Sequence, residues 1–425
     1  MRIQKIATVA VVLLGTAACT EITALKQVNP GQVSAATLYV PANAQLLVNG
    51  AISDFECAYT RYVVGSGLLT DELSNAIGST ANFDYDARRV LTNATYGTAA
   101  CDANQQPAIY STLSTARGSA DTVLARLREW TDASLPTGVS RKRLIGRAAT
   151  YAGYSLVLLG EGMCTAAVNL SAELTPAQLF GEAKVRFDSA VVVATAESDT
   201  STLNLALLGR ARTLLNLRQT AAAGIDAARI PASFVASTGT DNVNVRRQNF
   251  AFLSINQNSW STVDASFRGL TVNGSPDPRV AVTNSGRNGT AVGTVIWTPD
   301  KYPLISTLTP IARWAEAQLI LAEAKQDAGD LAGAAAAINA VRATRAGVPA
   351  YDVTGQSSAQ VLATIIDDRR LELFLEGHRL GDIRRYALPL APVAGTPYPG
   401  GGAYGTQSCF PLPDVERINN PNITK

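Results

Sequence analysis

With 425 residues, 36 basic against 34 acidic side chains and a single histidine, the chain is close to neutral. That balance excludes the electrostatic funnel of a nucleic-acid binder. His378 stands alone and no C-x-x-C spacing occurs, so no zinc or other metal set and no cofactor is expected.

The first residues read as an export leader. Arg2 and Lys5 precede an apolar run from Ile6 to Leu14, and the small residues Thr16, Ala17 and Ala18 lead to Cys19. The run is too short to span a bilayer, and small residues suit a cleavage site. A cysteine directly after such a site is the lipoprotein arrangement: residues 1–18 are expected to leave, and Cys19 to be acylated as the new N-terminus. Thr16 departs from the usual leucine, and a plain secretory signal is the alternative. Once Arg2 and Lys5 are gone, the charges of the mature chain balance. No later apolar run approaches the roughly 18 residues of a membrane helix. Setting Cys19 aside leaves Cys57, Cys101, Cys164 and Cys409, which permit three connectivities in an oxidising compartment. The pairing expected is Cys57–Cys101 and Cys164–Cys409, against buried free thiols.

The N-terminal half has helical periodicity. Leu46 to Val64 follows Pro41. Gln106 to Trp130 places Ile109, Leu113, Ala116, Ala120, Val123 and Leu127 on one stripe, and Ser140 to Leu159 repeats the pattern. Thr175-Pro176-Ala177-Gln178 is a start signal, with a capping threonine, proline at the first helical position and a glutamine able to reach back. Thr202 opens a further helix. Short helices rich in small residues predict stacked antiparallel pairs, a mainly α, tetratricopeptide-like architecture; an irregular bundle is the alternative.

Between residues 231 and 310 the helix formers thin out. Val243 to Val245, Phe250 to Ile255 and Thr294 to Trp297 alternate, separated by Asn273-Gly274, Asn288-Gly289 and Pro276-Asp277-Pro278. Loops and small β-hairpins are predicted as an excursion from a single helical domain spanning 19–425. Helices return after Pro310, with stripes through Trp314, Ala317, Leu321 and Ala324, and through Ile311, Ala315, Leu319 and Ala322. Asp330 caps the next helix, and Ser357 or Ser358 a third that ends near Gly377.

The densest charge cluster runs from Asp367 to Tyr386. Glu372 and Glu376, at i and i+4, are expected on one helix face. Paired carboxylates serve acid–base chemistry in glycoside hydrolases. Here Arg369, Arg370, Arg379, Arg384 and Arg385 surround them, holding both ionised, so neither suits a general acid. The expected role of Arg369, Arg370, Glu372, Glu376, Arg379, Asp382 and Arg384 is an ion-paired lock between two helices, with His378 inside it. Asp71 and Glu72 are expected to cap a helix end, with a contact near the ligand site as the alternative. No phosphate loop, G-x-S-x-G elbow or H-E-x-x-H occurs, and Gly400-Gly401-Gly402 reads as loop.

This cluster, from Arg369-Arg370-Leu371-Glu372-Leu373 through Gly377-His378-Arg379 to Asp382-Ile383-Arg384-Arg385, resembles the C-terminal signature of the SusD/RagB family of outer-membrane nutrient-binding lipoproteins. Tyr386 stands where the family has tryptophan. Arg313 to Lys325, Ala337 to Arg342, Phe410-Pro411-Leu412-Pro413 and Asn420-Pro421-Asn422 resemble further family segments, as do Asn29-Pro30 and Gly67 to Glu72. The resemblance, with residues 311–425 as its C-terminal part, implies a lipid-anchored protein on the exterior of the outer membrane. It would bind an oligosaccharide, or a peptide, and pass it to a partner TonB-dependent transporter, with no covalent step. A scaffold lipoprotein in envelope assembly and a secreted glycosidase are the alternatives.

Sugars stack on aromatic faces with polar groups at the rim. Aromatics off the helical stripes are Tyr85, Tyr96, Trp260, Phe267, Trp297 and Tyr302. Asn82, Asn258, Asp264 and Arg268 lie near them in sequence, and Trp260, set among polar residues, ranks first. For each aromatic, packing in the core is the competing reading.

Overall fold

A computed structural model describes residues 33–78, 80–102, 107–291 and 293–424. The leader, Cys19 and the Asn29-Pro30 segment lie outside the described residues.

The first long helix, α1 (Ala44–Leu69), lies along the core and buries most of its length. It is followed by β1 (Leu73–Asn75) and the short α2 (Thr80–Asp86). Four helices then stack in chain order: α3 (Tyr110–Glu129), α4 (Arg141–Gly162), α5 (Pro176–Ala196) and α6 (Thr200–Asn216). Their starts are locally specified. Ser140 accepts a hydrogen bond from the Arg143 amide, and Asp199 from that of Thr202. Thr175 and Gln178 form the reciprocal capping box read from the sequence. Small residues set the spacing between helices. Phe187 of α5 is wedged between Gly153 of α4 and Gly209 of α6, where an added Cβ would lie 2.8 and 2.4 Å from its ring.

The helix α7 (Thr220–Ala227) ends the first run. After the excursion, α8 (Trp314–Asp327) packs directly on α7, and α9 (Leu331–Arg342) and α10 (Ser358–Glu372) pack on α8. The helical stack is thus continuous although the chain leaves it for some eighty residues. It closes with α11 (Arg379–Tyr386) and α12 (Asp414–Asn419). The fold is mainly α, and no helix among the described residues is long and apolar enough to cross a membrane.

The excursion contributes β2 (Val235–Ser237), β3 (Ser261–Val263), β4 (Thr271–Val272), β5 (Ser275–Pro276), β6 (Val282–Asn288), β7 (Val295–Pro299) and β8 (Pro310–Arg313). All pairings are antiparallel and two-stranded: β1 with β3, β2 with β8, β4 with β5 and β6 with β7. The β4–β5 turn uses Asn273 and Gly274 at φ of 50° and 76°, as a tight hairpin requires. Three expectations differ. Phe250 to Ile255 is not a strand: Asn249, fully buried, accepts from the Phe252 amide at 3.0 Å and starts a helical turn. Val243 to Val245 leads into a short turn instead of pairing. Ile311 lies in β8, since the helix begins only at Trp314.

Cys57 is bonded to Cys101, and Cys164 to Cys409. The second bond fastens the tail beside the end of α4, where Phe410 and Met163 form a bridge.

Candidate functional site

Four segments converge on a cleft of about 1030 Å³. They are the β1–α2 region, the β3 end with its following turn, the β6–β7 hairpin and the loop from Pro392 to Tyr404. Each is anchored. Thr262 of β3 accepts from the Trp297 amide at 2.8 Å and donates to the Val295 carbonyl at 3.0 Å, holding the hairpin against β3. The Pro392–Tyr404 loop is a narrow turn: Tyr404 donates to the Thr396 carbonyl, Tyr398 to that of Gly402, and Gly405 to that of Ala87. Gly401 and Gly402, at φ of 102° and 74°, form its tip, and Gly405 comes so close to Arg88 that a Cβ would lie 2.1 Å from its carbonyl oxygen.

The cleft is walled by Phe83, Trp297, Tyr398 and Tyr404, interleaved with Asn75, Asp86, Asp264, Arg268 and Asn284. Tyr398 meets Phe83 and Tyr404 edge-on, with centroids 4.8 and 5.0 Å apart. Asp86 accepts from the Asn75 amide at 2.7 Å and from the Tyr398 hydroxyl at 3.0 Å. Burial raises its carboxyl to about 7. Asp264 accepts from the Ser74 hydroxyl at 2.5 Å and the Ser266 amide at 2.9 Å. Such a wall, apolar faces between fixed donors and acceptors, suits a ligand with alternating apolar and hydroxylated surfaces.

Of the aromatics singled out from the sequence, Trp297 lines this cleft, with Arg268 beside it. Tyr85, Tyr96, Phe267 and Tyr302 are fully buried. Tyr85 and Tyr96 pack on Phe410, Phe267 stacks on Phe374, and the Tyr302 hydroxyl donates to the Leu375 carbonyl, so these four build the core. Trp260, half-buried, leans on Phe250 away from the cleft; its carbonyl accepts from Asn82. Asn258 is exposed in the turn before it. Phe83, Asp86, Tyr398 and Tyr404 were not among the candidates. The Tyr398-Pro399-Gly400-Gly401-Gly402-Ala403-Tyr404 string was the available signal: aromatics flanking a glycine tip mark a displayed loop.

The charge cluster is a different kind of site. The helix α10 ends at Glu372, and Leu373 to Gly377 form a turn with Leu375 at φ 54°, so Glu372 and Glu376 do not share a helix face. They are joined instead by Arg313 of β8, which donates to each carboxylate at 2.8 Å. Arg345 adds a second partner to Glu372 at 2.6 Å, and Lys301 pairs with Glu376. Arg369 meets Asp382 at 2.8 Å, Arg385 meets Asp382 and Glu323, and Arg379 grips Asp71 at 2.6 and 2.8 Å. Arg370 donates to the Ser266 carbonyl. Arg384 donates to the carbonyls of Gly160, Glu161 and Met163, closing the C-terminal end of α4. Glu72 accepts from the Leu375 amide at 2.8 Å. Burial pushes Glu376 upward, but Arg313 and Lys301 outweigh it and hold the carboxyl below its ordinary value. His378 is buried beside Glu316, 3.8 Å away, and burial keeps it well below the usual histidine range. With both carboxylates clamped, the cluster holds elements together. A smaller cavity of about 290 Å³ beside it is bordered by Arg218 and Arg384, both already donating to backbone carbonyls.

Comparison with known proteins agrees with this architecture. Residues 299–423 match the SusD family. No curated protein matches the chain in sequence. Among solved structures, a SusD superfamily protein from Bacteroides fragilis superposes with a TM-score of 0.68 at 15% identity, covering 91% of this chain and 99% of its own. A SusD-like carbohydrate binding protein from Bacteroides vulgatus gives 0.65 at 16% identity, covering 90% and 96%. A laminarin binding SusD-like protein gives 0.64 at 16%, covering 90% and 98%. The matched segment holds the lock that ties the C-terminal helices to the rest of a SusD-like fold, and in residues 299–423 the chain is similar to the SusD family.

Proposed function

We propose that the chain is a surface lipoprotein that captures an oligosaccharide in the Trp297 cleft and delivers it to a partner TonB-dependent outer-membrane transporter. The observation that carries this reading is the cleft itself, four aromatic side chains facing a space of about 1030 Å³ with amide, carboxyl and guanidinium groups between them. Two SusD-like relatives of the same fold are described as carbohydrate- or laminarin-binding, which supports the ligand class. Binding and release need no covalent step. The described residues act as a single domain on this reading, and the lipid on Cys19 holds it near its transporter at high local concentration.

Calorimetric titration against a glycan panel tests the ligand. Trp297→Ala is expected to weaken the binding of the best glycan by roughly tenfold or more, with an unchanged far-ultraviolet spectrum. Undiminished binding would remove the cleft from the proposal. Cys19→Ser is expected to move the protein from the membrane to the soluble fraction; retention would remove the lipid.

A further inference from the structure

We propose that the cleft selects an acidic oligosaccharide, with Arg268 reading a uronate carboxylate. This rests on the cleft being the sugar site and adds the class of sugar.

Arg268 stands in the cleft wall, half-buried, its guanidinium carbon 5.6 Å from the centre of the Trp297 ring. Its Nε donates to the Val263 carbonyl at 2.7 Å, which fixes the plane of the fork. Among the described residues, neither terminal nitrogen has a hydrogen-bond acceptor, and no carboxylate forms an ion pair with it. Asp264, four residues along, is turned toward Ser74 and Ser266. The other arginines around the cleft bond to backbone: Arg88 through Nη2 to the Pro392 carbonyl, its Nη1 buried without a partner among the described residues, Arg89 to that of Gly401, and Arg287 to those of Asn256 and Gln257; none of the three lines the cleft.

A cation taken partly out of water is costly; burial lowers the Arg268 pKa, and the nearby charge of Asp264, which makes no ion pair with it, offsets this only in part. A ligand carboxylate accepting two parallel bonds from the free edge of the fork would relieve that cost. Asp86 is raised to about 7 by burial and already accepts two hydrogen bonds, and Asp264 is likewise occupied. The rings of Trp297 and Tyr404 and the Nδ2 of Asn284, whose Oδ1 accepts from the Gly286 amide, suit the carbon skeleton and hydroxyls of a pyranose beside that carboxylate. An acidic peptide carries the same anion, but it lacks the stacked rings that this wall would cover.

The test titrates the full mature chain with a panel of short oligouronates, and with the same oligomers after reduction of their carboxyl groups to primary alcohols. The protein is expected to bind one acidic member roughly tenfold or more tightly than its reduced form. Arg268→Gln is expected to abolish that preference, so that acidic and reduced forms bind alike, and Arg268→Lys to keep part of it, since lysine cannot make the paired contact. Equal affinity of the unaltered chain for acidic and reduced forms overturns the inference and leaves the sugar reading standing. So does a preference that survives in Arg268→Gln. Failure of every acidic and neutral sugar overturns both. Arg268-dependent binding of acidic peptides in a parallel titration, with no sugar bound, replaces the sugar by a peptide.

Discussion

Arg313→Ala is expected to destabilise the protein by about 3–5 kcal/mol, the usual cost of breaking a buried ion pair from one side. Arg313 is the only described side chain that bonds both Glu372 and Glu376, and it also donates to the Glu372 carbonyl. Both carboxylates are about 2% exposed or less, so water cannot replace the lost guanidinium. Arg345, by contrast, has 37% of its side chain exposed and serves Glu372 alone. Arg345→Ala should therefore cost about 1 kcal/mol, as for a solvent-screened pair. Urea denaturation of both variants reads the difference directly, as a shift in midpoint at constant slope. Equal, small shifts would mean that β8 and the α10 turn are held by packing and that the ion pairs add little. Glu372→Gln belongs to the same experiment, and it is expected to lower stability without touching ligand affinity, because the lock and the cleft share no side chain.

Thermal stability is expected to peak at mildly acidic pH and to decline on both sides. The acid side follows from Glu376 and Asp382. Burial raises each, but Arg313 and Lys301 for the one, and Arg369 and Arg385 for the other, hold them below the ordinary 4.5 and 3.8. A carboxyl depressed in the folded state stabilises above its unfolded pKa, and that contribution is lost as pH falls through the folded value. The neutral side follows from Glu72, Glu316 and Asp86, each raised to about 7 by burial. Here the folded state keeps protons that the unfolded state has released. Their contribution is complete below the ordinary carboxylate range and is lost as pH rises through about 7. The two windows meet near pH 4.5, the ordinary glutamate value. Glu316 is the strongest case, since neither carboxylate oxygen has a hydrogen-bond partner among the described residues and the side chain is 1% exposed. Glu316→Gln should flatten the neutral side and raise the melting temperature at pH 7. Calorimetry across the acid-to-neutral range decides it; a melting temperature that climbs steadily to neutrality would refute the assignment.

The lock and the cleft are built on separate logics, and this separation matters for function. The lock gathers charges from β8, the turn after α9, α10 and α11 and joins the second helical run to α4 and to Asp71 just past α1. The cleft hangs on loops and short strands outside that frame. Loops displayed by a rigid scaffold can vary their side chains without unsettling the core.

The sequence by itself determined what is local. Caps, proline starts and the apolar stripes placed the helices, because a helix is specified by neighbours three and four residues apart. The density of charges from Asp367 to Tyr386, five guanidinium groups among five carboxylates, marked an ion-paired cluster, because opposite charges so close in sequence favour pairing. What tertiary structure alone decided is long-range. Whether Tyr85 or Trp297 faces solvent depends on which segments cover them, and periodicity in a loop carries no record of that. Tyr85 is roofed by Tyr96 and by Phe410, which comes from far along the chain, whereas Trp297 is left half-buried by a hairpin pinned through Thr262. Asn75, Asp264, Trp297 and Tyr398 become one wall only because β1 pairs with β3, β3 holds β7, and the C-terminal loop folds back on α2. The partner of Glu372 and Glu376 was hidden for the same reason: Arg313 lies some sixty residues away, on a strand that the helical pattern had absorbed into α8.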